Sequence, residues 1–220
     1  MPARRLLVVT ALAVVTLTGC VTGERPTLGP MPDLGGSTGT PVGDAGVDKV
    51  LGLLEAAQRG SPTTFTAVYG VTRKLGPLSV SGTVVRDGGN LSITLGDVRY
   101  LVGGASKTCT VSTGACEAGL LEQRTSDVTV GSGFFAASPA RALRVAYARK
   151  TGPAVPSQQT VAGIAVDCVD ILAGAGTERY CATPAGPLAL WDTADKTVTL
   201  AKFETTADPN AFLPSPKPNR

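Results

Sequence analysis

The most reactive side chains in this sequence are its cysteines. The chain of 220 residues has five cysteines and no histidine. A hydrolytic triad needs a general base, which is most often histidine, so this composition disfavours that chemistry. A cysteine metal site is disfavoured too, because CxxC spacing is absent and no histidine can serve as a ligand. The cysteines therefore indicate crosslinks or attachment points, and we expect a protein that is not an enzyme and uses no metal or cofactor.

The first cysteine, Cys20, ends a short apolar run that follows Arg4 and Arg5. A basic start, a short apolar run and small residues before a cut site predict a secretory signal peptide over residues 1–19. The run is shorter than the roughly 20 residues that span a bilayer. Its end, Leu-Thr-Gly-Cys at residues 17–20, resembles the bacterial lipobox, which implies a mature chain that begins at Cys20 and carries lipid there. A plain signal peptide with a chance cysteine is the alternative.

Four cysteines remain for the body of the protein: Cys109, Cys116, Cys168 and Cys181. Four cysteines allow three pairings, and sequence alone does not fix which one forms. A hairpin centred on residues 112–113 would place Cys109 opposite Cys116, and one centred on residues 174–175 would place Cys168 opposite Cys181. Opposed residues lie roughly 4.5–5.5 Å apart between Cα atoms, a distance that a disulfide accepts. We therefore predict the disulfides Cys109–Cys116 and Cys168–Cys181.

Charge and composition narrow the class of protein further. Without Arg4 and Arg5, the 20 basic residues fall to 18 against 17 acidic ones, a net charge of +1. Such a chain lacks the basic footprint of a nucleic-acid-binding protein. About 200 mature residues suffice for one domain with a core, which we expect to be a monomer. The 27 glycines and 16 prolines favour a β-rich domain with short strands.

The chain divides into a tether, a folded domain and a tail. Residues 20–46 are rich in glycine and proline and predict a flexible tether. A helix is predicted over residues 47–59, because apolar side chains recur there at helical spacing. The folded domain is predicted over residues 47–213, and the proline-rich residues 214–220 are predicted to form a disordered tail.

From residue 63 the apolar period changes from helical spacing to two. Short alternating segments separated by turn residues predict an antiparallel meander, which includes the hairpin of Cys109 and Cys116 and a strand near residues 127–130. A second helix is predicted to open at Ser138-Pro139, with Ser138 as its cap. Four returning strands are then predicted at residues 160–172, 178–182, 188–191 and 198–205.

This order of elements resembles the Lol-type lipoprotein carriers and the mycobacterial lipoglycan- and wax-carrying lipoproteins. Several stretches also resemble the allied disulfide-bearing actinobacterial lipoproteins: TFTAVY at 64–69, VAGI at 161–164, YC at 180–181, AGPL at 185–188 and DPNAF at 208–212. The resemblance covers roughly residues 47–213 and carries no catalytic signature. It implies an α+β fold: a curved antiparallel sheet of about 9–10 strands forming a half-barrel, with two helices on its concave face and an apolar cavity between them. The four body cysteines depart from the best-known carriers, so no ligand identity follows from the resemblance.

A cavity for an amphiphile would need a dry space lined by apolar side chains. The chain offers such residues at alternating strand positions and on the second helix. The candidate lining residues are Phe65, Tyr69, Val80, Val84, Ile93, Leu95, Leu143 and Tyr147. The alternative is that these side chains form an ordinary packed core.

Two hypotheses of function follow. The first is a membrane-anchored, extracytoplasmic lipoprotein that binds or carries a lipid or another hydrophobic ligand, and it predicts an apolar cavity. The second is a non-catalytic interaction or sensor module of the cell envelope, and it predicts a filled core.

A catalytic pair of carboxylates and a phosphate-binding loop are both disfavoured. Asp167 and Asp170 are three residues apart on one strand and point to opposite faces. The glycines at 103–104 and 131–133 lack the strand-to-helix context of a phosphate loop.

Overall fold

A computed structural model of the protein describes residues 39–174 and 176–213. The predicted signal peptide, Cys20, most of the predicted tether and the predicted tail (214–220) lie outside the described residues. Within the described part no helix is long and apolar enough to cross a bilayer.

Eleven antiparallel strands form a single curved sheet that does not close. The strands are β1 Thr64–Arg73, β2 Leu78–Asp87, β3 Asn90–Leu95, β4 Val98–Val102, β5 Lys107–Thr110, β6 Cys116–Ala118, β7 Val155–Val161, β8 Ile164–Ala173, β9 Gly176–Ala182, β10 Leu188–Asp192 and β11 Lys196–Glu204. Their spatial order is β6-β5-β4-β3-β2-β1-β11-β10-β9-β8-β7. The predicted α+β half-barrel is confirmed, with eleven strands where about 9–10 were expected.

Alternation in β1 defines the concave face of the sheet. Phe65, Ala67, Tyr69 and Val71 are all buried, whereas the residues between them are not. The register of β1 with β2 sets Tyr69 opposite Gly82 and continues the same face into the neighbouring strands. Period-two alternation therefore produces one long apolar surface that the other elements must cover.

Two α-helices cover one end of this face. They are α1, Ala45–Arg59, and α2, Ala137–Ala148. Asp44 caps α1 by accepting from two backbone N–H groups of its first turn, and Gly60 closes it in the left-handed conformation. Both helices pack on β8 and β9, and α1 also contacts β7. We call β7–β9 with α1 and α2 the helix-covered end of the sheet.

Three sequence-based predictions of local structure were wrong. The predicted strand near residues 127–130 overlaps a 3₁₀ helix, Glu122–Val128, in which Thr125 and Ser126 donate their hydroxyls to carbonyls three residues back. The strand predicted over 160–172 starts too early, because Ala162 and Gly163 both take left-handed angles and turn the chain from β7 into β8, which begins at Ile164. Ser138 lies inside α2, whose cap is Ala136, and caps nothing.

The end of the described chain lies on the opposite, convex face. A second 3₁₀ helix, Pro209–Phe212, is capped by the Asp208 side chain. Ser92 donates to the Ala211 carbonyl at 2.6 Å, and Arg99 donates to the Leu213 carbonyl at 2.5 Å. These bonds hold the segment against β3 and β4.

Candidate ligand-binding face

Six of the eight predicted cavity residues share the concave face of β1, β2 and β3. Five of them, Phe65, Tyr69, Val84, Ile93 and Leu95, are buried, and Val80 is half-buried. The strand registers explain this, because Val84 lies opposite both Ala67 and Ile93.

The other two predicted residues lie at the helix-covered end. Leu143 is buried on α2 and Tyr147 is half-buried there, beneath the Lys150 ammonium 3.4 Å from its ring centroid. Both residues belong to α2, which packs mainly on β8 and β9.

The face formed by β1–β5 is covered by an irregular segment, residues 121–136. We call these residues the cover segment and β1–β5 the segment-covered end. Its 3₁₀ helix contacts β1 and β2. Thr129 in it has a φ of 59°, which is uncommon for a residue other than glycine.

Two adjacent phenylalanines of the cover segment fill the concave face. The Phe134 ring meets the Tyr69 ring edge-on at a centroid distance of 5.1 Å, and Phe135 lies 6.3 Å from Phe65. Phe134 is 0% exposed and Phe135 is 4% exposed. A Cβ on Gly82 would lie 3.0 Å from the Phe134 ring, so this glycine makes room for the ring. These rings occupy the space that the cavity hypothesis assigned to a ligand.

Side-chain hydrogen bonds hold the cover segment on the sheet. The Tyr100 hydroxyl pairs with the Thr125 hydroxyl at 2.9 Å, and the Leu121 N–H donates to the Thr108 hydroxyl at 2.9 Å. Arg73 donates to the Asp127 carbonyl at 2.9 Å. The segment is therefore attached through side-chain bonds and one backbone bond, from the Leu188 N–H to the Phe135 carbonyl at 2.8 Å, and not through a strand ladder.

A loop inside the cover segment is closed by Glu122. Its carboxylate accepts from the Ser132 N–H at 2.9 Å and from the Ser132 hydroxyl. A Cβ on Gly131 would lie 2.0 Å from the same carboxylate, so any larger residue here would displace the Glu122 carboxylate from Ser132.

Three polar groups of the concave face are buried without a hydrogen-bond partner among the described residues. They are the Tyr69 hydroxyl, Nε of Arg86 and, on β10, the indole N–H of Trp191, which lies opposite Val198 of β11. Burial raises the pKa of Tyr69, so its phenol stays neutral, and burial lowers the pKa of Arg86 from 12.5. Buried polar groups are normally satisfied, so each one marks a place where a partner is missing.

The helix-covered end satisfies its buried charges. The Arg144 guanidinium of α2 donates to the Glu55 carboxylate of α1 at 3.0 and 2.5 Å, and both side chains are buried. Arg144 also donates to the Thr40 carbonyl at 2.7 Å, and Glu55 accepts from the Gly39 N–H at 2.7 Å. The pair ties α1, α2 and residues 39–40 together.

Both predicted disulfides are formed. Cys109 pairs with Cys116 across β5 and β6, and Cys168 pairs with Cys181 across β8 and β9, each with a Cα–Cα distance of 4.0 Å. The register of β8 with β9 also sets Asp170 opposite Arg179, and the two side chains share two 2.6 Å bonds.

The acidic residues that might have formed a carboxylate pair are used in separate ion pairs. Asp167 bonds Lys49 of α1 at 2.7 Å, and Asp170 bonds Arg179. A shallow pocket of about 330 Å³ lies beside the first pair, lined by Gly46, Lys49, Pro156, Ser157, Gln158, Asp167 and Cys168. Lys49 and Asp167 are its only charged lining residues and carry opposite charges, so the lining has no net charge. The described residues contain no cluster that could hold a metal ion.

Sequence patterns did not indicate the residues that cover the concave face. Phe134 and Phe135 make up two of the five phenylalanines of the chain and follow a Gly-Ser-Gly stretch, which was the available signal. Arg86 was missed because an arginine in an alternating strand normally faces solvent.

Comparison with known proteins shows likeness to solved structures only. No family model matches the sequence, and no curated protein matches it. A structure of MucB is 12% identical over 76% of this chain and 61% of its own length, with a TM-score of 0.45. The Pseudomonas aeruginosa MucA/MucB complex matches at 12% identity, 75% and 59% coverage and a TM-score of 0.44.

A LolA superfamily protein of Nitrosomonas europaea matches at 11% identity, over 74% of this chain and 96% of its own length, with a TM-score of 0.36. The chain spans less than two thirds of the length of the MucB structures. At these identities the likeness concerns the fold alone and says nothing about a ligand.

Proposed function

We propose that this protein is a lipid-anchored, extracytoplasmic carrier that binds a hydrophobic ligand on the concave face of β1–β5, beneath the cover segment. The observation that carries the proposal is the kind of cover found there. The face is apolar over several strands, yet an irregular segment closes it and presents two aromatic rings to it.

The cover segment can leave the sheet more easily than a strand can. A strand loses a ladder of backbone hydrogen bonds when it leaves a sheet, whereas the cover segment loses a few side-chain bonds, the backbone bond from Leu188 to Phe135, and the burial of Phe134 and Phe135. An acyl chain that takes the place of the two rings restores the apolar contacts that they gave up. The structure then represents the closed state of the carrier, in which its own phenylalanines occupy the ligand site.

The anchor forms part of the proposal. The signal peptide of residues 1–19 and the lipobox-like end at Cys20 support a lipid-modified amino terminus that holds the domain at the outer side of the cell membrane. Cys20→Ser is expected to release the protein from the membrane fraction and to abolish incorporation of labelled palmitate. An unchanged membrane fraction would contradict the anchor.

A second function is favoured by one specific observation, the complete burial of Phe134 in the core. If the cover segment never opens, the domain is a packed interaction module of the envelope. The two functions differ in what the protein contains when it is isolated from cells.

Native mass spectrometry separates the two functions. The full chain with Cys20→Ser, which has no acyl chains of its own, should carry a non-covalent lipid. Phe134→Ala with Phe135→Ala should carry more of it, because the site is already vacated. Leu143→Ala, which opens the core at the helix-covered end, is the matched control and should not raise lipid occupancy. Bare protein in all three cases would contradict the carrier and leave the packed module.

A further inference from the structure

Three arginines are buried in the described part of the chain: Arg86, Arg99 and Arg144. Arg144 has the Glu55 carboxylate, and Arg99 has the Thr94 hydroxyl and the Leu213 carbonyl. Arg86 is 7% exposed, and its Nε has no hydrogen-bond partner among the described residues. No ion pair of the described residues includes it.

The Arg86 side chain lies on the concave face and not on the convex one. It stands opposite Phe65 of β1 and Leu91 of β3, on the same face as Val84. Its guanidinium lies 5.9 Å from the centroid of Phe65 and 6.0 Å from that of Phe135, so it touches the cover segment as well as the sheet.

The neighbours of Arg86 stabilise its charge without completing its hydrogen bonds. Cation–π contacts with the two rings offset part of the desolvation, and the carboxyl end of α1 lies close, since a Cβ on Gly60 would be 3.0 Å from Nη1. A guanidinium has five N–H donors in a fixed fork, and an aromatic face accepts none of them in the way that an oxygen does. An anion with two or more oxygens matches this fork.

We infer that Arg86 binds the anionic headgroup, a carboxylate or a phosphate, of an acyl-chain amphiphile whose tail lies along the concave face beneath the cover segment. This inference rests on the proposed function, and it names the class of ligand. The headgroup lies where β2 ends beside Gly60, and the tail runs from there toward Gly82, roughly 13 Å along the strand. Phe135 touches both the headgroup site and Phe65, and so couples headgroup binding to the position of the cover segment.

The test compares ligands that differ only in their heads. Palmitate, hexadecyl phosphate and hexadecanol are each titrated below their micelle concentrations into the full chain with Cys20→Ser, by displacement of an apolar fluorescent dye. Inorganic phosphate alone is the fourth arm, which separates a lipid headgroup from a free anion. The two anionic amphiphiles should bind about tenfold to a hundredfold more tightly than hexadecanol, the factor that a charge-assisted hydrogen bond provides. Inorganic phosphate should displace no dye.

Variants of the protein test whether Arg86 causes the preference for anionic headgroups. Arg86→Gln should abolish the preference for the anionic heads and leave the affinity for hexadecanol within about twofold. Arg86→Lys keeps the charge without the fork, and should retain part of the preference. Arg141→Gln removes the same charge from an exposed position of α2 and should change neither affinity. If the glutamine variant does not fold, the comparison of ligands on the unsubstituted Arg86 still decides the inference.

The outcomes distinguish the inference from the proposed function. Equal binding of hexadecanol and palmitate would overturn the role of Arg86 while the carrier stands. A preference that survives in Arg86→Gln would overturn it as well, and so would binding of inorganic phosphate as tight as that of hexadecyl phosphate. No binding of any of the three amphiphiles would overturn the carrier itself.

Discussion

The two ends of the sheet are covered in different ways. At the helix-covered end, α1 and α2 lie on β8 and β9 and are joined by the buried pair of Glu55 and Arg144. At the segment-covered end, the irregular cover segment lies on β1 and β2, and Nε of the buried Arg86 has no acceptor within the described part of the chain. The difference teaches that burial alone does not define the core: the helix-covered end pairs its buried charges, whereas the segment-covered end buries a charge that is in no ion pair of the described residues.

Among the variants that test this difference, we expect the largest loss of stability at the buried ion pair of Glu55 and Arg144. Glu55→Gln leaves the Arg144 guanidinium buried beside a neutral amide, and we expect it to lower the free energy of unfolding by about 3–5 kcal/mol. Urea denaturation measures the change. Glu55→Met with Arg144→Met should recover most of the loss, because no unpaired charge then remains. A loss below about 1 kcal/mol in Glu55→Gln would show that the helix-covered end does not depend on the pair.

Each end of the sheet has one disulfide, so removing each bond in turn compares how much the two ends contribute to stability. Replacing Cys168 and Cys181 with alanine should cost about 3 kcal/mol, because the bond closes the longer loop and both residues are buried. Replacing Cys109 and Cys116 should cost about 2 kcal/mol, since Cys116 is exposed at the edge strand. Thermal unfolding measures both variants. A larger loss from the second pair would reverse the order of stability that we assign to the two ends.

Two tyrosines of the segment-covered end provide a matched pair. Tyr100→Phe removes the hydroxyl that bonds Thr125 and should cost about 1 kcal/mol, loosening the cover segment. Tyr69→Phe removes a buried hydroxyl without a partner and should leave the free energy of unfolding unchanged or raise it slightly. Equilibrium unfolding of both variants checks the pair, and equal losses would mean that the Tyr69 hydroxyl has a partner in solution.

The smallest effect concerns pH at the junction of α1 and β8. Hydrogen bonds from Gln158 and Lys49 hold the pKa of Asp167 below its usual 3.8. The ionised carboxylate is therefore favoured by folding, and its contribution is full above the usual pKa and lost as the pH falls through the lowered one. Asp167→Asn should flatten the stability–pH curve below about pH 4 by less than about 1 kcal/mol, because Lys49 is largely exposed. An unchanged curve would show that the contact of Asp167 with Lys49 does not stabilise the packing of α1 on β8.

Local patterns in the sequence were enough to predict the sheet and the first helix. Alternation and the flanking turn residues act within a few positions, so they predict the antiparallel meander that β1–β5 form. The helix predicted at residue 47 begins at Ala45, where the Asp44 side chain reaches the first turn. Hairpin geometry likewise gave both disulfide pairs.

Local patterns did not predict which residues cover the sheet. Phe134 and Phe135 have no periodic neighbours, and their burial depends on Tyr69 and Phe65, which are far away in the chain. Arg86 follows the alternation of β2, yet its lack of a partner results from how α1, β1 and the cover segment meet around it. A single sequence contains no local signal for contacts of this range.

The central claim is that the cover segment opens to admit an acyl chain, and hydrogen–deuterium exchange of the full chain with and without palmitate tests it most directly. Without ligand, amides of the cover segment should exchange at least about tenfold faster than those of α1, through local opening. Palmitate should slow exchange in the cover segment and leave α1 nearly unchanged. Exchange of both regions at one common rate, unaffected by palmitate, would contradict the account.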